Sequence, residues 1–223
     1  LLFAAVVLAP AMMAGYLIVS VFFMPQWLLF PHHRIVEGVS VYSDAPIPDE
    51  AAGVAERSGA LLQASALFKR GEAFGPIFLT DGGWRWRLLS VGAGGSFALT
   101  RPSTESIVVN RSDFRSDKVW NGSSIAGERS LSGVIAHERT HTLIRRRFGA
   151  LADRAYPTWV REGYCDFVAG SSTLSDRQAA EARAANPRLP ALIYYDARQR
   201  VTAVLASNGG SVQALFEGSI ARR

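Results

Sequence analysis

Residues 133–143 read Gly-Val-Ile-Ala-His-Glu-Arg-Thr-His-Thr-Leu and contain His137-Glu138-x-x-His141. On a helix, residues four apart lie on one face, one turn apart. The imidazoles of His137 and His141 can therefore bind one metal ion together. Glu138, next to the first of them, points toward the space in front of that ion. Two imidazoles on Zn²⁺, with a carboxylate as general base on the water that the ion activates, are the working parts of a zinc hydrolase. The plainer alternative is a surface helix with two solvated histidines.

A catalytic zinc needs a third protein ligand and one open position. The stretch Tyr156-Pro157-Thr158-Trp159-Val160-Arg161-Glu162-Gly163-Tyr164-Cys165-Asp166-Phe167 supplies candidates. Pro157 suits the first turn of a second helix, and Gly170 would end it. Glu162 and Asp166 are again four apart. Glu162 is the obvious third ligand. Asp166 is placed to accept a hydrogen bond from a ligating histidine and so to fix its tautomer. Taken alone the pair reads equally well as a polar helix face; its position shortly after the histidine motif favours the functional set.

His137-Glu138-x-x-His141, a short spacer, Trp159-Val160-Arg161-Glu162-Gly163 and Asp166 together resemble the gluzincin metallopeptidases, the clan of the thermolysin-like enzymes and the membrane alanyl aminopeptidases. The resemblance covers about residues 105 to 170. It implies His137, His141 and Glu162 as ligands, Glu138 as base and Asp166 as the partner of a ligating histidine. The aminopeptidase signature Gly-x-Met-x-Asn is absent, and Gly92-Ala93-Gly94-Gly95-Ser96 lacks its acidic neighbour, so aminopeptidase activity is not implied. Gluzincins also place an oxyanion-stabilising group on a helix after the glutamate helix. Tyr194, Tyr195 and Arg198 are the candidates here, and Tyr195 is assigned the role.

These residues need elements to hold them. Ser130 is a plausible N-cap of the metal helix, whose apolar surface is Leu131, Val134, Ile135, Leu143, Ile144 and Phe148. Arg145, Arg146 and Arg147 fall in its last turn, where cations favour the helix dipole, and Gly149 ends it. Such charges exclude a site inside a membrane span. Asp49 to Lys69 reads as a helix; Pro76–Thr80, Ser96–Thr100 and Ser106–Asn110 read as strands. In gluzincins the strand just before the active helix is the sheet edge that pairs with substrate backbone, so Ser106–Asn110 is expected there. Trp84 to Leu89 alternates aromatic and basic residues and suits a short amphipathic element. Asn110 to Gly127 reads as a polar loop. Helices are expected over Leu174–Ala185, Tyr194–Ala206 and Ser211–Glu217.

Length allows one globular domain plus an appendage. With 48% apolar residues the chain can fill a core. The single cysteine, Cys165, allows no internal disulfide and reads as a small buried hydrophobe. The formal charge of +5 is carried by scattered Lys and Arg, which does not suggest nucleic-acid binding. Residues 1–30 contain no Asp, Glu, Lys, Arg or His, a run long enough to cross a bilayer. Trp27, Phe30, His32, His33 and Arg34 then resemble an interfacial belt. A cleaved signal peptide competes, but the run exceeds the usual signal core.

The expectation is thus an α+β zincin-like domain with a small mixed sheet, an active-site helix and a following glutamate helix. An N-terminal transmembrane anchor (1–30) and a linker (31–48) precede the domain (49–223). The function expected is a single-pass, membrane-anchored, zinc-dependent metallopeptidase acting on a peptide or protein outside the cytoplasm. A zincin-like envelope scaffold without catalysis is the alternative, and the intact Glu138 argues against it.

Overall fold

A computed structural model describes residues 23–220, together with residues 12, 13, 15, 16, 20 and 21. The architecture is α+β, with a five-stranded mixed sheet in the order β1-β2-β3-β5-β4. These strands are β1 (His32–Val36), β2 (Val39–Ser43), β3 (Ile77–Leu79), β4 (Ala98–Thr100) and β5 (Ile107–Val109). Strands β2, β3 and β5 run parallel, while β1 and β4 are antiparallel edges. The parallel centre is apolar on both faces, as a covered sheet requires: Ile77, Phe78 and Leu79 are all buried, as are Ile107, Val108 and Val109.

Helix α1 (Glu50–Gln63) precedes β3, and the short α2 (Trp84–Leu89) precedes β4. The metal-motif helix α3 (Leu131–Phe148) is almost wholly buried. Its Leu131, Val134 and Ile135 pack on the sheet. Its Ala136, Leu143 and Ile144 pack on the helical half of the core. Ser130 Oγ accepts from the Gly133 amide at 2.9 Å and Gly149 (φ 100°) closes the helix, both as the sequence predicts. After the short α4 (Ala152–Ala155) comes α5 (Thr158–Val168), preceded by Pro157. Helix α6 (Asp176–Ala185) opens with a capping box between Ser175 and Gln178. Helices α7 (Pro190–Ser207) and α8 (Val212–Ile220) are the last of the described residues.

Four expectations need correction. The stretch 31–48 is not a linker: it holds β1 and β2, joined through Glu37 (φ 46°) and Gly38 (φ 76°), the two left-handed positions of a tight hairpin. His33 accordingly stacks on Tyr42 at 4.4 Å, and Phe30 lies 5.4 Å from Phe78, so both join the fold. The polar loop 110–127 contains β6 (Arg111–Asp113) and β7 (Lys118–Trp120), which pair with β8 (Glu128–Ser130) as a separate antiparallel sheet. Helix α1 stops at Gln63, short of Lys69, where Ser65 Oγ turns to the Leu67 amide and the Tyr164 hydroxyl. Finally, β5 lies inside the sheet, and the free edge beside α3 belongs to β4.

The apolar span expected over residues 1–30 falls largely outside the described residues. Among those described, no helix is long and apolar enough to cross a membrane. The end of that stretch, a 3-10 turn at Pro25–Leu28, is part of the fold, with Leu28 and Phe30 packed on the outer face of the sheet.

Candidate metal centre

Helices α3 and α5 cross so that His137, His141 and Glu162 face one another at the floor of a cleft of about 700 Å³. Glu162 Oε2 lies 3.4 Å from His137 Nε2 and 3.5 Å from His141 Nε2. Ligand atoms about 2.0–2.2 Å from a tetrahedral ion stand about 3.4 Å apart. The carboxylate oxygen thus stands from each imidazole at the spacing that one shared ion demands, and the donor set of two imidazoles and a carboxylate suits zinc.

Asp166, one turn beyond Glu162, is fully buried. It stands 2.8 Å from His137 Nδ1, accepts from Arg129 Nη2 at 2.9 Å and from Ser172 Oγ at 2.9 Å. A proton on Nδ1 shared with this carboxylate leaves Nε2 to face the metal position. Burial would raise the Asp166 carboxyl, but the Arg129 charge and the His137 hydrogen bond outweigh it and hold it below its ordinary value. Burial likewise opposes ionisation of Glu162; the charge of His141 and hydrogen bonds from both histidines keep it well below the carboxylate range. For His137, burial lowers the pKa, yet hydrogen bonds to Asp166 and Glu162 prevail and raise it to about 10. Both carboxylates thus stay ionised beside the imidazoles.

Cys165 offers a second donor set. Its Sγ and the ligand nitrogens of His137 and His141 all lie within 4.8 Å of one another. The side chain is fully buried among core residues such as Val160 and Leu143. Burial pushes the thiol well above its ordinary range, with Glu162, Glu138 and Asp166 adding to the effect. Glu162 lines the open cleft while Cys165 is shut off from it in the core, so Glu162 completes the set that an entering ion and a substrate can both reach.

Glu138 lines the cleft, and its Oε2 lies 2.6 Å from Thr100 Oγ1 on β4. The same hydroxyl reaches the Glu138 carbonyl at 3.0 Å. Edge strand β4 thereby forms one wall of the cleft and steadies the carboxylate. Arg161 approaches Glu162 from the other side, with Nη1 3.6 Å from Oε1.

The structure separates the three oxyanion candidates. Tyr195 is not at the cleft: its hydroxyl donates to Asp176 Oδ1 at 2.9 Å on the far side of α7. Arg198 is engaged by the Gly170 carbonyl at 3.1 Å. Tyr194 lines the cleft with the metal-motif residues. Burial raises its phenol pKa and nearby Glu162 and Asp166 add to this, so the hydroxyl keeps its proton and remains a donor. Helical phase carries the signal: Tyr194 lies three and seven residues before the buried Ala197 and Val201. Thr100, Arg129 and Ser172 carry no comparable mark, because each meets its partner only through the fold. Compared with family models, with curated proteins and with solved structures, the chain matches none.

Proposed function

We propose that this chain is a membrane-anchored, zinc-dependent metallopeptidase with a zincin-like domain of gluzincin type. The observation that carries the proposal is the convergence of His137 Nε2, His141 Nε2 and Glu162 Oε2 at 3.4–3.5 Å, with Glu138 beside them in an open cleft. His137, His141 and Glu162 would hold the ion. When bound, zinc supplies Lewis acidity toward the scissile carbonyl and the attacking water.

The remaining work belongs to the chain. The free edge of β4 can pair with an extended peptide backbone and lay it across the cleft. Glu138 takes a proton from water and returns it to the leaving amine. Thr100 orients that carboxylate. Tyr194 is the donor best located for the oxyanion. Asp166 holds His137 in one tautomer, and Arg129 and Ser172 hold Asp166.

The test is metal analysis of the full chain, followed by cleavage of a broad peptide library with and without chelator. One zinc per chain and cleavage that the chelator abolishes support the proposal. Cleavage indifferent to chelator and to Glu138→Gln would overturn it.

A further inference from the structure

The outer face of the sheet, away from α3, carries an apolar patch where residues 24–30 enter the fold. Trp27 is 46% exposed, Trp84 52% and Leu29 81%. Single exposed apolar residues need no explanation, but a contiguous group does. Arg85 joins Trp84 to the segment that carries Trp27 and Leu29. Its guanidinium lies 4.6 Å from the Trp84 ring and 5.0 Å from the Phe30 ring. It donates to the carbonyls of Leu28 and Leu29, each at 2.9 Å, and pairs with Asp44 at 2.6 Å. The patch is therefore a built surface. Leu29 also holds a left-handed backbone (φ 52°), which residues with a β-carbon rarely adopt, while its side chain stays in solvent. Strain of this kind persists where the surroundings enforce it.

Two observations indicate what covers the patch. Residues 1–23, which lead into it, contain no Asp, Glu, Lys, Arg or His. The exposed groups are tryptophan and leucine with Arg87 three residues from Trp84 on α2, the mixture that suits the boundary between acyl chains and headgroups. We infer that Trp27, Leu29 and Trp84, with Arg87 at the rim, dock the domain onto the headgroup layer of a lipid bilayer. This rests on the membrane-anchored function proposed above and adds to it a fixed orientation. Helix α2 is about 9 Å long, and the loop that follows it reaches the cleft. Trp86 Nε1 donates to the Gly94 carbonyl at 3.0 Å, and Gly95 and Ser96 line the cleft.

The experiment uses the full chain mixed with vesicles of phosphatidylcholine and phosphatidylglycerol. Flotation reads attachment. Quenching of tryptophan emission by lipids brominated near the headgroup end of the acyl chain reads docking. The expected result is flotation with strong quenching, most of which disappears in the Trp27→Phe/Trp84→Phe double variant while flotation persists. Trp159→Phe should leave the quenching in place. A chain that floats but is not quenched, or whose quenching survives the double variant, overturns the docking and leaves the anchor standing. Crosslinking between copies through Trp84→Cys, without quenching, would assign the patch to self-association instead. A chain that does not float overturns the anchor and the docking together.

Discussion

Gly163→Ala sets local propensity against packing. The residue sits inside α5, next to Glu162. A glycine in a helix interior costs about 1 kcal/mol relative to alanine, so the sequence alone predicts a more stable protein. The packing of α5 on α7 predicts the reverse. A β-carbon at residue 163 would lie 2.4 Å from the Ala197 carbonyl oxygen, 2.7 Å from its carbonyl carbon and 2.8 Å from Val201 Cγ2. Carbon–carbon contacts are comfortable at about 3.5–4.0 Å, a shortfall of roughly 0.8 Å at the carbonyl carbon. A backbone carbonyl inside a helix cannot swing aside, so α7 must move as a unit. Overpacking costs about 1–3 kcal/mol, and clash with backbone belongs at the upper end. Less the propensity gain, the net loss is about 2 kcal/mol, or about 4–8 °C in Tm. Thermal and urea unfolding of the full chain in detergent, at fixed zinc concentration, measures it. Gly59→Ala in α1 is the control, since nothing lies within 4 Å of its added β-carbon; it should gain up to about 1 kcal/mol. A Gly163→Ala protein as stable as the parent, or more so, would refute the close approach of α5 and α7 and with it the location of Tyr194.

The other predictions concern the metal centre. Glu138→Gln should keep zinc and melting temperature while turnover falls by about 10²-fold or more; loss of the metal would make Glu138 a ligand. His137→Ala, His141→Ala and Glu162→Ala should each lose the zinc and Cys165→Ser should keep it, read by metal analysis; the opposite result for Glu162 and Cys165 would give the third position to the thiolate. Asp166→Asn should weaken zinc binding by roughly 10–100-fold in competition with a chelating dye. Arg129→Met should cost about 3–5 kcal/mol in urea unfolding, because it strips a buried carboxylate of its cation. The pH dependence has a definite sign. Asp166 lies below its ordinary 3.8 in the folded protein, so its pairing contributes stability above that pH and loses it as pH falls further. The Arg129 variant should therefore unfold at higher pH during acid titration.

What could be read from the sequence was local. His137 and His141, like Glu162 and Asp166, are four apart, and helical geometry puts such pairs on one face wherever the helix lies. Caps are local as well: Ser130, Gly149 and Pro157 act on their own helix ends. The turn at Glu37-Gly38 was equally local, and the Val39-Ser40-Val41 alternation after it was legible. The phase that puts Tyr194 rather than Tyr195 in line with Ala197 and Val201 of α7, three and seven residues on, was also present in the pattern.

Other features depend on contacts that no local pattern encodes. Sheet order is one: β5 follows β4 in the chain yet lies between β3 and β4, because parallel pairing with β3 buries both of its faces. Thr100 meets Glu138 across 38 residues, and Arg129 meets Asp166 across 37. Each bond exists only because β4 and β8 are laid against the helices. The sequence by itself determined the candidate ligand types, their spacing and the helices that carry them, since these follow from one turn of backbone geometry. Only the tertiary structure decided that His137 Nε2 on α3 and Glu162 Oε2 on α5 face each other at 3.4 Å, that Cys165 is shut in the core beside them, and that the cleft opens along β4. Those distances are set by how whole layers pack, a property of the summed apolar surfaces and not of any one stretch of chain.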